Sequence, residues 1–189
     1  GKGVKQSCEM ARNLFEQAAQ QGYTAAMVSL GLLYDDGLGV EQSYERAAEY
    51  YDQAAQLGHA QAQYNLGLMY YNGKGVKQSF SMANELYELA IQQGHVDAMV
   101  NLGLIYVNGN NKVEKDIVKA RDLWIKAEAL GDEKATQFLK ELDDMEREEA
   151  SFDPNVVVCS FCGLPETETR NFSKTKCPCK STWYCNTKC

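Results

Sequence analysis

Residues 60–76 read AQAQYNLGLMYYNGKGV, and this stretch is the most informative one about the fold. Ala62, Leu66 and Met69 recur at the spacing of one face of an α-helix. Gly73 follows where a glycine commonly caps a helix end, and the Gly-Lys-Gly-Val turn after it tolerates positive φ. The stretch therefore predicts an amphipathic helix that ends in a glycine turn.

The same pattern returns along the chain with a step of 36 residues. We call equivalent positions in successive repeats a column. Several columns hold the same residue at this step, namely Gly39 and Gly75; Gly22, Gly58 and Gly94; Leu30, Leu66 and Leu102; and Tyr34, Tyr70 and Tyr106. Gly3-Val4 is interpreted as the first of these turns. A fourth copy carries one inserted residue, because Gly131 follows Gly94 by 37.

Helices are predicted at residues 7–21, 24–36, 43–57, 60–72, 79–93, 96–108, 116–130 and 132–149. A single copy is too small to bury its apolar face, so neighbouring copies must stack. The predicted fold class is all-α: a right-handed α-solenoid of helix-turn-helix repeats over residues 1–149. The first copy lacks its first helix, so we expect the chain to be a piece of a longer protein.

Three glycines lie inside predicted helices at equivalent positions: Gly31, Gly67 and Gly103. A glycine within a helix costs ~1 kcal/mol relative to alanine. Because this cost is repeated in every copy, we expect the backbone of a neighbouring helix to approach closely there.

Charge is unevenly distributed along the chain. The net charge is −7, and residues 1–150 hold 14 basic and 23 acidic side chains. An acidic body is a poor match for a phosphate backbone, which disfavours nucleic acid as a partner. No apolar run approaches the ~20 residues that span a bilayer, so no membrane association is expected. Proteins or peptides are the expected partners.

The helical body resembles the Sel-one-like repeat (SLR), a relative of the tetratricopeptide repeat. The resemblance rests on Ala62, Leu66, Gly67, Tyr70, Gly73, Gly75 and Val76, with Ala47, Tyr51, Ala54, Ala55 and Gly58 from the copy before. It implies an adaptor in a signalling or protein-quality-control complex.

A solenoid of this kind offers a concave face that is built from the first helix of each copy. Asparagine and tyrosine side chains on that face are candidates for binding an extended peptide, and the set is Asn65, Asn101, Tyr64, Leu68, Tyr71, Asn72 and Asn108. The alternative is a solvated face made of ordinary repeat residues.

Six of the seven cysteines lie between Cys159 and Cys189. The pair Cys159-x-x-Cys162 aims two thiolates at one ion, and Cys185-x-x-x-Cys189 places two thiolates one helical turn apart. Such half-sites form a closed four-cysteine zinc site, which is structural because no position is left for a catalytic water. A disulfide framework is the alternative, and it requires an oxidising compartment.

Residues 159–189 resemble a MYND-type zinc finger that is truncated at its C-terminal end, joined to the solenoid by a linker at 150–158. The resemblance implies interleaved pairing, so that Cys159, Cys162, Cys185 and Cys189 bind the first zinc. Cys177 and Cys179 then form half of a second, incomplete site. The rival pairing is sequential and places Cys159, Cys162, Cys177 and Cys179 on one ion. MYND fingers mostly dock short, often proline-containing peptides.

Together these features predict a protein–protein interaction adaptor or scaffold with zinc as its cofactor and no catalysis in this chain. The solenoid and the finger each bind a partner protein or peptide. Free thiolates favour a reducing compartment, the cytoplasm or nucleus. The alternative is the targeting region of a larger enzyme, a methyltransferase or a ubiquitin ligase, whose catalytic domain lies outside the sequence.

Overall fold

The computed structural model describes residues 2–109 and 114–151, and side chains from residue 9 to residue 147 within them. The chain divides into two compact units, residues 1–139 and 140–189. The described residues form eight α-helices and no strand, which confirms the all-α class for this part of the chain. The helices are α1 (Lys2–Gln20), α2 (Thr24–Asp36), α3 (Tyr44–Gln56), α4 (Ala60–Asn72), α5 (Phe80–Gln92), α6 (Val96–Asn108), α7 (Ile117–Ala129) and α8 (Glu133–Ser151).

Helices α2 to α8 begin and end within two residues of their predicted limits. The exception is α1, which begins at Lys2 rather than at residue 7, so the predicted turn at Gly3-Val4 is wrong. Later turns follow a helix whose C-cap, Gly37 or Gly73, adopts the left-handed conformation with φ 69°. A glycine permits a turn without requiring one, so Gly3 also fits inside a helix at a cost of ~1 kcal/mol.

Serine or aspartate side chains cap the second helix of each later copy. The Ser43 hydroxyl accepts a hydrogen bond from the Arg46 amide at 3.3 Å, and Ser79 accepts one from Met82 at 3.4 Å. Asp116 takes the same place before α7. These caps satisfy amide groups that no intrahelical carbonyl can reach.

Each helix of the first unit packs against its neighbours in chain order. Helix pairs α2–α3, α4–α5 and α6–α7 form the copies, and α1–α2, α3–α4 and α5–α6 join one copy to the next. This succession is the stacking expected of a repeat solenoid. The right-handed sense of the solenoid stays a prediction.

Alanines and aromatic rings in fixed columns form the core of this stack. Fully buried alanines repeat in three columns, Ala47, Ala83 and Ala120; Ala54, Ala90 and Ala127; and Ala62, Ala98 and Ala135. Small side chains bring the helices close together, and one large ring per copy fills the remaining space: Tyr51, Tyr87 and Trp124, which are 0, 1 and 3 % exposed.

The helical glycines lie against these rings. A Cβ atom added at Gly67 would lie 2.9 Å from Cε1 of Tyr87. Gly31 and Gly103 face Tyr51 and Trp124 in the same way. The expectation of a close helix backbone is therefore corrected, because the nearest atoms belong to an aromatic side chain of the following helix.

Candidate peptide-binding surface

The first helices of three copies, α2, α4 and α6, present a row of side chains at helical spacing, which we call the first-helix face. Its members are Ala25, Ser29, Leu32 and Asp36 on α2; Gln61, Asn65, Leu68 and Asn72 on α4; and Asp97, Asn101, Leu104 and Asn108 on α6. These residues are free to face outward because the opposite sides of the same helices supply the core alanines and leucines.

Contacts across this face join α4 to α6. The Asn101 side chain donates from Nδ2 to the Tyr64 hydroxyl at 3.1 Å. Tyr64 also stacks on His95 with ring centroids 4.7 Å apart. His95 Nε2 lies 3.2 Å from Gln61 Oε1, and His95 Nδ1 accepts from the Ala98 amide at 3.3 Å. Polar side chains from two copies are thus held in one arrangement.

Burial shapes the titration of this cluster. Partial burial raises the pKa of Tyr64, and Asp97 raises it further, whereas the hydrogen bond from Asn101 lowers it. Burial lowers the pKa of His95, with Asp97 opposing the shift. Both side chains are therefore neutral at neutral pH, and His95 acts as a helix cap and stacking partner.

A pocket of about 140 Å³ opens where α2, α3 and α4 meet. Its lining combines apolar and polar side chains, and the residues are Leu32, Asp35, Tyr51, Asn65, Leu68, Met69, Asn72 and Lys74. Three of the predicted peptide-binding residues, Asn65, Leu68 and Asn72, therefore come together at one place.

The polar group at the base of this pocket lacks a partner. Tyr51 is fully buried, and its hydroxyl forms no hydrogen bond within the described residues. Burial raises the pKa of Tyr51, the Asp35 carboxylate adds to the rise, and the Asn65 side chain opposes it without reaching normal hydrogen-bond geometry. A buried hydroxyl without a partner is rare in native proteins and usually has a reason.

Charged groups sit at the rim of the pocket. Burial raises the pKa of Asp35, Asp36 raises it further, and Lys74 lowers it. The Lys74 ammonium lies 5.2 Å from the centre of the Tyr44 ring. Among the described residues, no cationic group lies within 4 Å of the Asp35 carboxylate. The carboxylate oxygens of Asp35 can therefore accept further hydrogen bonds.

The other predicted residues have different surroundings. Asn72 and Asn108 are exposed, and each donates to a carbonyl of its own helix, Leu68 and Leu104 respectively, at 2.9 Å. Tyr71 packs edge-on against Phe80 with centroids 5.4 Å apart, so it covers the second helix of its own copy. It lies outside the pocket lining.

Sequence reasoning assigned no binding role to Asp35, Tyr51, Met69 or Lys74. Tyr51 shares a column with Tyr87 and Trp124, which marks it as core and hides its hydroxyl. One feature of the sequence does point to this site. Val28 occupies, in the preceding repeat, the position that Tyr64 occupies in the next one. A smaller residue there leaves Asn65 without the tyrosine that Asn101 has.

The predicted zinc ligands Cys159, Cys162, Cys177, Cys179, Cys185 and Cys189 lie outside the described residues. Within the described ranges, no group of three or more His, Cys, Asp and Glu side chains is arranged to hold a metal ion. No described helix has both the length and the apolar character to cross a membrane.

The segments that match a known family coincide with the repeats described above. Consecutive segments at residues 1–23, 24–59, 60–95 and 96–132 match the Sel1 repeat. A search of curated proteins gave no match.

Solved structures with a similar fold come from several bacteria. A protective antigen of uropathogenic Escherichia coli with an SLR fold is 40% identical, with a TM-score of 0.63, over 65% of this chain and 26% of that one. A Sel1 repeat protein from Oxalobacter formigenes is 29% identical, with a TM-score of 0.65, over 69% of this chain and 53% of that one. Cysteine-rich protein B of Helicobacter pylori is 26% identical, with a TM-score of 0.57, over 74% of this chain and 100% of that one. The chain thus spans about a quarter of the first protein and about half of the second.

Proposed function

The chain belongs to the Sel1 repeat family, and from that premise we propose that it is an adaptor that binds an extended segment of a partner protein on its first-helix face. Sel1 repeat proteins generally mediate protein–protein interaction and are typically non-catalytic scaffolds. Repeat proteins use the surface formed by successive copies to bind partners.

The observation that carries the proposal is the polar cluster that bridges two copies. Tyr64, His95 and Asn101 are held by mutual contacts, so the remaining hydrogen-bonding capacity of the Tyr64 hydroxyl and the Asn101 amide is available without ordering flexible side chains. Preorganised groups of this kind favour binding because less conformational entropy is lost. The pocket at the neighbouring junction extends the same face.

Selection from a random peptide library on the full chain tests the proposal. Asn101→Ala should weaken the selected peptides about tenfold, the effect of roughly 1.4 kcal/mol, when affinities are compared by calorimetry. Glu88→Ala is the matched control, because Glu88 is exposed on α5, the second helix of its copy. Peptides whose affinity depends on Glu88 and not on Asn101 would place binding on another face and overturn the proposal.

We also propose that the C-terminal cysteines bind zinc and that the finger docks a second partner. The support is the spacing of two half-sites, Cys159-x-x-Cys162 and Cys185-x-x-x-Cys189, which suits a closed four-thiolate site. Zinc bound there would hold this segment together without taking part in catalysis.

Zinc content of the reduced, purified protein tests this second proposal. We expect about one zinc per chain, as for a single closed four-thiolate site. Cys185→Ser should abolish it if pairing is interleaved, whereas Cys177→Ser should abolish it if pairing is sequential. Absence of zinc, or disulfides in place of free thiols, would contradict the proposal.

A further inference from the structure

The pocket between α2, α3 and α4 holds hydrogen-bonding groups that are not used within the protein. Asn65 Oδ1 accepts from Gln61 Nε2 at 3.0 Å, so the Asn65 amide nitrogen remains as a donor, and it lies near the Tyr51 hydroxyl without a hydrogen bond of normal geometry. The Tyr51 hydroxyl is buried and unpartnered among the described residues. Two donors therefore converge on one side of the pocket, and the Asp35 carboxylate offers an acceptor.

This arrangement occurs at one junction and differs at the next. Asn101, the equivalent of Asn65, donates to Tyr64, whereas the column of Tyr64 holds Val28 in the copy before. The column of Asp35 holds Tyr71 in the next copy, where that ring packs on Phe80. The open polar set is therefore a property of the individual residues at this junction and not of the repeat pattern.

The inventory of groups decides among possible ligands. A carboxylate would satisfy both donors and attract Lys74 at the rim, but Asp35 in the same lining would repel it and would be left without a donor. A cation would pair with Asp35 but leave the Asn65 amide hydrogens without an acceptor. A primary carboxamide suits both kinds of group, because its oxygen accepts from Tyr51 and Asn65, or from Lys74 at the rim, and its nitrogen donates to Asp35.

Apolar side chains complete the match. Leu32, Leu68 and Met69 line the same pocket and would pack against the methylene groups that carry the carboxamide. The charge of the surroundings agrees, since residues 24–95 hold three basic and eight acidic side chains. An acidic surface of this kind selects against a glutamate of the same shape.

We propose that this pocket binds a glutamine side chain of the partner segment, an inference that rests on the proposed peptide-binding function. Because Tyr51 is fully buried, the ligand reaches its hydroxyl only after the half-buried Asn65 side chain turns aside. The incoming carboxamide then replaces Asn65 beside the Tyr51 hydroxyl and receives the hydrogen bonds of both.

Small analogues test the head group without any knowledge of the partner. Propionamide, propionate and propylammonium have the same number of carbons and differ in the head group alone. Titrated into the isotope-labelled full chain, propionamide should shift the backbone amide resonances around Leu32, Asn65 and Leu68 with saturation in the millimolar range. Tighter binding of propionate or of propylammonium, or no saturable shift with any of the three, would overturn the inference.

Variants separate recognition from folding. Tyr51→Phe should weaken propionamide about three- to tenfold, the loss of one hydrogen bond, while the unfolding temperature stays the same or rises because a buried unpartnered hydroxyl is removed. Asp35→Asn should relax the discrimination against propionate. Tyr87→Phe is the matched control, since Tyr87 holds the same column in the next copy and lies outside the pocket. Equal effects of Tyr51→Phe and Tyr87→Phe would contradict the assignment.

The peptide-library selection tests the glutamine pocket and the adaptor proposal separately. Selected peptides that lack glutamine but depend on Asn101 would overturn the glutamine pocket and leave the adaptor proposal intact. Failure to select any peptide, with propionamide still bound, would reject the adaptor proposal and leave a carboxamide site in need of another ligand class.

Discussion

At the scale of single residues, neighbouring repeats come into close contact at particular glycines. Gly75 lies in the turn between α4 and α5 with φ 65°, and an added Cβ atom there would overlap the backbone of Tyr44 at the start of α3. The turn of one copy therefore rests directly on the copy before it. Gly58 also has positive φ, but nothing lies within 4 Å of an added Cβ atom.

Gly75→Ala should lower the free energy of unfolding by about 3 kcal/mol, because it combines left-handed strain of roughly 1–2 kcal/mol with a clash against fixed backbone. Gly58→Ala should cost only the strain, about 1 kcal/mol. Chemical denaturation of both variants measures the difference. Equal losses would show that the turn yields freely and that its contact with Tyr44 is unimportant.

The stability of the protein depends on pH through the protonation of His95. Its Nδ1 accepts from the Ala98 amide, and protonation of Nδ1 would remove that acceptor. The folded-state pKa is lowered by burial below the ordinary value of about 6.5. The stabilising contribution of neutral His95 is therefore complete above that value and is lost as the pH falls through the lowered folded-state pKa.

His95→Asn should remove this pH dependence while keeping a helix cap, because asparagine is a favourable N-cap that does not titrate. We expect the stability of the native protein to fall relative to the variant between about pH 7 and pH 5, below the ordinary histidine pKa. Thermal unfolding of both proteins at several pH values gives this difference. A difference that does not change with pH would refute the role of His95.

At the scale of elements, a side-chain cap marks the start of α3, α5 and α7, whereas α2 and α4 begin without one. Helices of 13 residues are marginal in isolation, so the end of each one depends on local hydrogen bonds and on packing. The Ser79 hydroxyl holds the first turn of α5 through the Met82 amide. Ser29 instead lies within α2, where its hydroxyl bonds the Ala25 carbonyl at 2.9 Å.

Ser79→Ala should destabilise the protein by about 1 kcal/mol, since an amide at the helix start loses its acceptor. Ser29→Ala should change stability by less than about 0.5 kcal/mol or improve it, because a mid-helix serine competes with the backbone and alanine has the higher helix propensity. Denaturant midpoints of the two variants test the contrast. A larger loss of stability for Ser29→Ala than for Ser79→Ala would show that the Ser79 cap does not stabilise the protein.

At the scale of the whole molecule, the described helices and the proposed finger depend on different forces. Apolar columns of alanine, leucine and aromatic side chains hold the helices of residues 2–139, whereas the cysteine segment has few apolar residues and depends on metal binding in our proposal. The two tryptophans report on the two parts, because Trp124 lies in the helical core and Trp183 lies between the cysteine pairs.

A strong chelator should therefore change the fluorescence of Trp183, read in a Trp124→Phe background, and leave the helical circular dichroism of the reduced protein intact. The reason is that unpaired thiolates cannot replace a core in the cysteine segment, while buried alanine, leucine and aromatic side chains hold the helices. Parallel loss of the helical signal would show that the helices also require the metal, contrary to the proposal.

Sequence alone was enough to predict the repeat and, for the residues that the structure describes, the all-α class and the limits of α2 to α8 to within two residues. These features depend on local rules: a 3.6-residue apolar period, glycine at helix ends and serine or aspartate at helix starts. The start of α1 was predicted wrongly because glycine permits a turn without requiring one, and Gly3 lies inside the helix.

The position of the candidate site within the first-helix face depends on how the helices pack in three dimensions. Leu32, Tyr51 and Asn65 meet in one pocket although they belong to three helices, and the angle at which those helices stack determines which side chains converge. Periodicity assigned Tyr51 to the core correctly but could not show that its hydroxyl lacks a partner. A hydrogen bond depends on distances of a few tenths of an ångström between residues far apart in the chain, and no local pattern specifies them.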